Sequence, residues 1–172
     1  MLDALIETMN EPDKQLAEDV LKKLCEGAQI DGIRFGPVLQ IIISHHGVEK
    51  QFARGQVYLN LLARWALFDT RPRRFPGGEE ELPEVTPEEE IQRIVAMRER
   101  VITKVELGES DPHLILTLDD ERVVFVNGMD DSYETWDMGV AFSSEEEPWQ
   151  VVACPGGRVA VWAPSTFGKD GV

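Results

Sequence analysis

Cysteine and histidine are both scarce in this chain of 172 residues. There are two cysteines, Cys25 and Cys154, and three histidines, His45, His46 and His113. The cysteines lie far apart and outside any C-x-x-C spacing, so we expect free thiols rather than a disulfide. No histidine has a ligand-like partner three or four residues away, which argues against a zinc site. We therefore predict no metal and no other cofactor.

Long hydrophobic runs are also missing. The longest, residues 38–43, has the length of one strand, whereas a membrane-spanning helix needs about 20 apolar residues. The first residues are acidic from the third position, unlike a secretory or transit peptide. Hydrophobic residues make up 42% of the chain, which is typical of a folded domain. We expect a soluble, cytoplasmic protein with a single compact domain over residues 1–172.

The common catalytic and nucleotide-binding signatures do not occur. The chain contains no G-x-S-x-G, no P-loop, no G-x-G-x-x-G and no H-E-x-x-H. His45 and His46 are adjacent, and adjacent residues of a strand point to opposite faces. We therefore predict no catalytic residue. These absences count against an enzyme without excluding one.

Basic side chains are outnumbered by acidic ones, 17 to 32, which gives a net charge of −15. Such a surface repels nucleic-acid backbones and anionic membranes, so neither is expected as a partner. The charge fits two interpretations. It provides solubility alone, or it matches the surface of a basic protein partner.

Helical periodicity covers the first 26 residues, where Pro12 is expected to separate two helices. A further helix is predicted over residues 87–100, with proline at its first position. Thr86 is the expected N-cap, and Glu89 stands at the capping-box position three residues later. Glutamates in the first turn favour the positive end of the helix dipole.

The other segments are predicted as strands joined by turns. Two short strands are expected within residues 29–43, and one long or two short strands within 57–69, where a helix is a rival. The C-terminal hairpin is placed at 148–164, with its turn at 155–157. The proline-rich segment 70–86 is predicted to contain no regular element and to connect two halves.

Two stretches of the chain, 12–69 and 87–139, repeat the same order of features. The matched pairs are Gly36 with Gly108, Pro37 with Pro112, Asn60 with Asn127, and Trp65 with Trp136. A helix with three or four strands has an apolar face that it cannot bury alone. We therefore predict an α+β fold with an internal pseudo-repeat. Its two helix-plus-antiparallel-meander halves pack as a sandwich or a partly closed barrel, with the helices outside.

One turn has the composition of a functional site. It holds three carboxylates, Asp130, Asp131 and Glu134, beside Tyr133 and Trp136. Clustered carboxylates bind hard cations or perturb one another's protonation, but the spacing is not that of an EF-hand. A solvated polar turn is the plainer interpretation. Because aromatic residues dominate binding energy at interfaces, these five residues form the predicted binding patch.

The segment PHLILTLDDERVVFVNGMDDSYETWDMG, residues 112–139, resembles uncharacterised small acidic bacterial proteins and immunity proteins of polymorphic toxin systems. The shared pattern is an apolar strand, an acidic pair, a second apolar strand and Y-E-x-W, with a weaker echo at 57–69. The resemblance implies a stoichiometric binder that neutralises a toxin, often a basic nuclease.

These observations predict an acidic intracellular protein-binding module, in its most specific form an immunity-like protein that neutralises a basic toxin. Two alternatives stay open. One is an uncharacterised homo-oligomeric domain, such as a homodimer. The other is a metal-dependent enzyme that uses Asp130, Asp131 and Glu134.

Overall fold

The structure, a computed structural model, describes residues 9–46, 56–142 and 148–168. The helix expected before Pro12 lies outside these ranges. Within them, no helix is long and apolar enough to cross a bilayer. The elements in chain order are α1 (Glu11–Cys25), β1 (Gln29–Arg34), β2 (Leu39–Ser44), β3 (Val57–Leu61), β4 (Trp65–Phe68), α2 (Pro87–Ala96), β5 (Ile102–Leu107), β6 (Leu114–Leu118), β7 (Val123–Val126), β8 (Trp136–Val140), β9 (Gln150–Cys154) and β10 (Arg158–Trp162).

The two helices begin as their sequences predict. The side chain of Asn10 caps α1, and Pro12 lies in its first turn. At α2 the hydroxyl of Thr86 accepts the backbone N–H of Glu89, whose carboxylate accepts that of Thr86, which is a complete capping box. The helix ends at Ala96, four residues earlier than predicted. The N–H of Glu99 instead bonds to a carbonyl of β1, so the chain has already turned toward the sheet.

The ten strands within the described ranges pair antiparallel and form two sheets. The larger sheet has the order β1-β2-β3-β8-β9-β10 and the smaller one β4-β7-β6-β5. Residues 57–69 therefore form two short strands, and the rival helix is wrong. β3 and β4 lie in different sheets, and so do β7 and β8. β4 thus joins the sheet of β5, β6 and β7, and β8 joins the sheet of β1, β2 and β3. The sheets do not close into a barrel.

The main core contains two fully buried tryptophans, Trp65 and Trp136. α1 completes it by placing Val20, Leu21 and Leu24 against strands β8, β9 and β10 of the large sheet and β5 of the small sheet. A helix that contacts both sheets does not confirm the prediction that the helices lie outside. The α+β class and the packing of antiparallel sheets around a shared core are confirmed.

The outer edge of β5 is paired with backbone only at its start, where Ile102 exchanges hydrogen bonds with Gly27 and Ala28, and carboxylates cover it further along. Glu26 accepts the backbone N–H of Val105, and Glu18 accepts that of Leu107, each at 3.0 Å. Both glutamates are half-buried, Glu18 within α1 and Glu26 as its C-cap. Because an unpaired strand edge is a template for pairing with another chain, these two side chains protect the edge of the small sheet.

Residues 70–86, here called the strap, cross the outer face of the small sheet. Phe75 stacks on Phe125 of β7 at 5.6 Å between ring centroids and meets Phe68 edge-on at 6.4 Å. Leu82 is buried in the same second cluster. The segment predicted as a plain connection therefore forms a small core of its own.

The strap is also tied to the far edge of the small sheet by an ion pair. Arg71 places its guanidinium 5.0 Å from the Phe75 ring centre and 2.7 Å from the carboxylate of Glu106. Burial raises the pKa of Glu106, but hydrogen bonds from Arg71 and Lys104 outweigh it and lower the pKa below its ordinary value.

The prediction that residues 70–86 contain no regular element is wrong, since Glu79–Glu81 form one 3₁₀ turn.

Candidate functional site: an acidic turn with an exposed tyrosine

The link between β7 and β8 begins with a buried polar anchor. The side chain of Asn127 donates to the carbonyl of Met129 and accepts its N–H, at 2.9 and 3.2 Å. The N–H of Gly128 donates to Nδ1 of His113 at 2.9 Å. A Cβ at Gly128 would lie 2.0 Å from the carbonyl oxygen of Pro112, so only glycine fits. The backbone that leads into the site is therefore fixed.

The next residues form a turn organised by Asp130. Its carboxylate accepts the N–H groups of Ser132 and Tyr133 at 2.7 and 2.8 Å, the pattern of an Asx-turn. Its carbonyl accepts the N–H of Gly156, in the turn between β9 and β10, at 2.9 Å. The turn is thus bonded internally and against the C-terminal hairpin.

Residues 130–134, here called the acidic turn, present an aromatic ring between carboxylates. Tyr133 is 74% exposed, and Asp131 and Glu134 are exposed on either side of it. Burial first, and then the negative charge of Glu134, raise the pKa of the nearby Cys154 thiol. Because the thiolate is the nucleophilic form, the raised pKa disfavours nucleophilic chemistry at Cys154, and the exposed groups of the site are acidic and aromatic.

The five predicted patch residues have different positions in the structure. Asp131, Tyr133 and Glu134 lie together at the surface, and the half-buried Asp130 shapes the turn beneath them. The prediction for Trp136 is wrong. This residue is 0% exposed, and its indole N–H donates to the carbonyl of Pro112 at 2.8 Å. It is the first residue of β8, on the face that points into the core, where it cannot contact a partner.

A polar network behind the turn was not found from the sequence. Asp137 is only 7% exposed, and its carboxylate accepts the amides of Asn60 at 2.9 Å and Gln150 at 3.2 Å. Gln40 donates to Asn60 in turn, at 2.8 Å. Burial, together with the charge and hydrogen bond of Asp137, raises the pKa of Tyr58 to about 12. Asn60 pairs directly with Asp137 in the register of β3 and β8, and no short sequence pattern indicates that pairing.

The carboxylates and histidines do not converge on a cation site. Over residues 9–46, 56–142 and 148–168, no group of three or more His, Cys, Asp or Glu side chains is placed to hold a metal ion. His113 is buried, and burial lowers its pKa although Asp111 and a hydrogen bond with the Gly77 backbone oppose this. With Nδ1 accepting a backbone N–H, this histidine is a neutral bridge between loops. The metal-dependent alternative gains no support.

Comparison with known proteins gives no match: no family model, no curated protein and no solved structure matches the chain. Among the described residues, the acidic turn with its exposed tyrosine has the composition of a binding surface.

Proposed function

We propose that this protein is an acidic cytoplasmic protein-binding module whose acidic turn docks on a basic protein surface. The observation that carries the proposal is the position of Tyr133. Its ring is 74% exposed on a turn fixed by two hydrogen bonds to Asp130 and one to Gly156. Large exposed aromatics on ordered backbone are characteristic of binding surfaces.

The physical advantage of this arrangement is preorganisation. A turn already held in place loses little conformational freedom when it binds, so more of the contact energy appears as affinity. Tyrosine adds a broad apolar ring with a hydroxyl that can hydrogen-bond at the rim of an interface. Asp131 and Glu134 supply charge complementary to lysine and arginine, which increases the rate of encounter and disfavours acidic partners.

The most specific form of the proposal is an immunity-like protein that neutralises a basic toxin in a stoichiometric complex. The net charge of −15 supports this, as does the resemblance of residues 112–139 to immunity-type proteins. A tight inhibitor needs a rigid surface rather than a catalytic group. The surface described here has an ordered turn and an exposed aromatic ring.

The internal pseudo-repeat also remains a proposal. The strand orders support it, because β1-β2-β3-β8 of the large sheet corresponds to β5-β6-β7-β4 of the small sheet. Each half then has three strands in one sheet and a fourth in the other. The hairpin β9–β10, which extends the large sheet beyond β8, has no counterpart among the described residues of the first half. It is this added hairpin that anchors the acidic turn.

The test compares Tyr133→Ala with the control Phe35→Ala, whose ring is 65% exposed in the turn between β1 and β2. Both variants and the parent are used to capture proteins from a lysate of the source organism. Each captured protein is then purified, and its dissociation constant is measured directly. We expect a basic partner whose affinity falls about 30-fold or more in Tyr133→Ala and less than about twofold in the control.

Salt and mass measurements complete this test. Raising the ionic strength from about 0.05 to about 0.5 M shortens the screening length severalfold, so binding should weaken strongly. Light scattering of the purified protein distinguishes the homodimer alternative, which predicts a dimer that Tyr133→Ala dissociates. Unchanged affinity in Tyr133→Ala, or a salt-independent complex, would contradict the proposal.

A further inference from the structure

A cleft of about 650 Å³ lies between α1, the strap and the loop that joins β5 to β6. Its volume is within the range of small-molecule sites, about 300–1,000 Å³. We propose that this cleft binds a small organic anion, with a phosphate or carboxylate group attached to an apolar body. The site is separate from the acidic turn and does not depend on the function proposed for it.

Cations are concentrated at this cleft although the chain as a whole is strongly acidic. They are Lys14, Arg71, Arg73 and Arg74. Two of them are engaged, since Arg71 pairs with Glu106 and Arg74 with Glu81. The side chains of Lys14 and Arg73 have no ion-pair partner in the part of the chain that the structure describes. Two positive groups, one on α1 and one on the strap, are thus available to a ligand.

Four carboxylates line the same cleft, and two of them are engaged by cations or by a backbone N–H. Glu106 forms ion pairs with Arg71 and Lys104. Glu18 accepts the N–H of Leu107 at the edge of β5. One carboxylate oxygen of Asp111 lies 4.0 Å from Nε2 of the buried His113. Glu109 also lies at the rim, and the four carboxylates equal the four cations in number. An anion is therefore held by Arg73 and Lys14, the two cations without a described ion pair, and not by a net positive charge.

The inner wall of the cleft is apolar and fixed. It is formed by Pro72, Phe75 and Pro76 of the strap and by Ile115 of β6. Proline restricts the backbone on either side of Phe75, and the stack on Phe125 holds that ring in place. A flat apolar body can therefore lie along the strap while its anionic group reaches the rim. Arg73 is the expected main contact, because guanidinium groups bind phosphate and carboxylate through paired hydrogen bonds.

The experiment titrates the full chain with four probes: phenyl phosphate, benzoate, inorganic phosphate and benzylamine. We expect phenyl phosphate to bind with a dissociation constant of about 1 mM or tighter. Benzoate tests whether a carboxylate is accepted equally well. Inorganic phosphate should bind at least about tenfold more weakly because it lacks the apolar body. Benzylamine, which has the same ring and the opposite charge, should not bind.

Variants locate the binding. Arg73→Gln should weaken phenyl phosphate binding about tenfold, and Lys14→Gln should weaken it by a smaller factor. The control Arg98→Gln changes another exposed arginine, just after α2, and should leave affinity unchanged. Tyr133→Ala should also bind the probe normally, so failure of one site leaves the other testable. No binding at about 10 mM probe, equal binding of benzylamine, or full affinity in Arg73→Gln would overturn the proposal.

Discussion

Replacing Phe75 by alanine tests whether the strap is a packed part of the fold. The ring is half-buried, stacks on Phe125 and touches Phe68. Truncating a fully buried phenylalanine costs about 3–5 kcal/mol, so a half-buried ring should cost about half of that. Of this, about 0.5–1.5 kcal/mol belongs to the aromatic contacts themselves. We therefore expect Phe75→Ala to lower the free energy of unfolding by about 2 kcal/mol.

Urea denaturation measures this difference, and thermal unfolding should show a fall in Tm of about 4–8 °C for a chain of this size. Phe35→Ala removes the same atoms from an exposed position and should change stability by less than about 0.5 kcal/mol. Phe75→Leu should recover part of the loss. If Phe75→Ala costs no more than Phe35→Ala, residues 70–86 are a loose connection and the reasoning about the second core is refuted.

Three further outcomes are expected. Trp136→Phe should lower the free energy of unfolding, measured by urea denaturation, by about 1–3 kcal/mol because the buried carbonyl of Pro112 loses its donor. Tyr133→Ala should lower it by less than about 0.5 kcal/mol. Equal losses would contradict the burial described here. His113 has a lowered pKa in the folded chain, so the unfolded chain binds its proton first and stability falls as pH drops below about 6.5. His113→Asn keeps an acceptor but does not titrate, so it should lose less stability between pH 7.5 and pH 5.5 than the parent, and parallel losses would refute this. Glu106 has a lowered pKa, so the stability from its pair with Arg71 is present above the ordinary value of about 4.3 and is lost as pH falls through the folded pKa. Arg71→Gln should cost at most about 1 kcal/mol at neutral pH and less at the acid end of the same titration, where only the contact of Arg71 with the Phe75 ring is left. A cost that does not fall in acid would contradict the ion-pair assignment.

Local features could be predicted from the sequence because their causes are local. The start of α2 depends on Thr86 and Glu89, three residues apart, and both hydrogen bonds of the predicted capping box are present. The C-terminal hairpin follows from its turn, where Gly156 and Gly157 take φ values of 78° and 73°. The division of residues 57–69 into two short strands was one of the predicted alternatives.

Features that depend on distant residues were missed for a physical reason. The strap is ordered by the contact of Phe75 with Phe125, fifty positions away in the chain, and no short pattern encodes that pairing. The role of Trp136 depends on which face of β8 points inward. A shift of one residue exchanges the two faces of a strand. The sequence alone is therefore equally consistent with a surface and a core position for a tryptophan beside an acidic turn.

The exchange of β4 and β8 between the sheets has a consequence for folding during synthesis. Trp65 of β4 pairs with Val126 of β7, and Leu61 of β3 with Trp136 of β8. When the first half leaves the ribosome, β7 and β8 have not yet been synthesised. The edges of β4 and β3 that pair with them therefore stay open until the second half follows. Pairing over such sequence distances is slow, and exposed edges invite association.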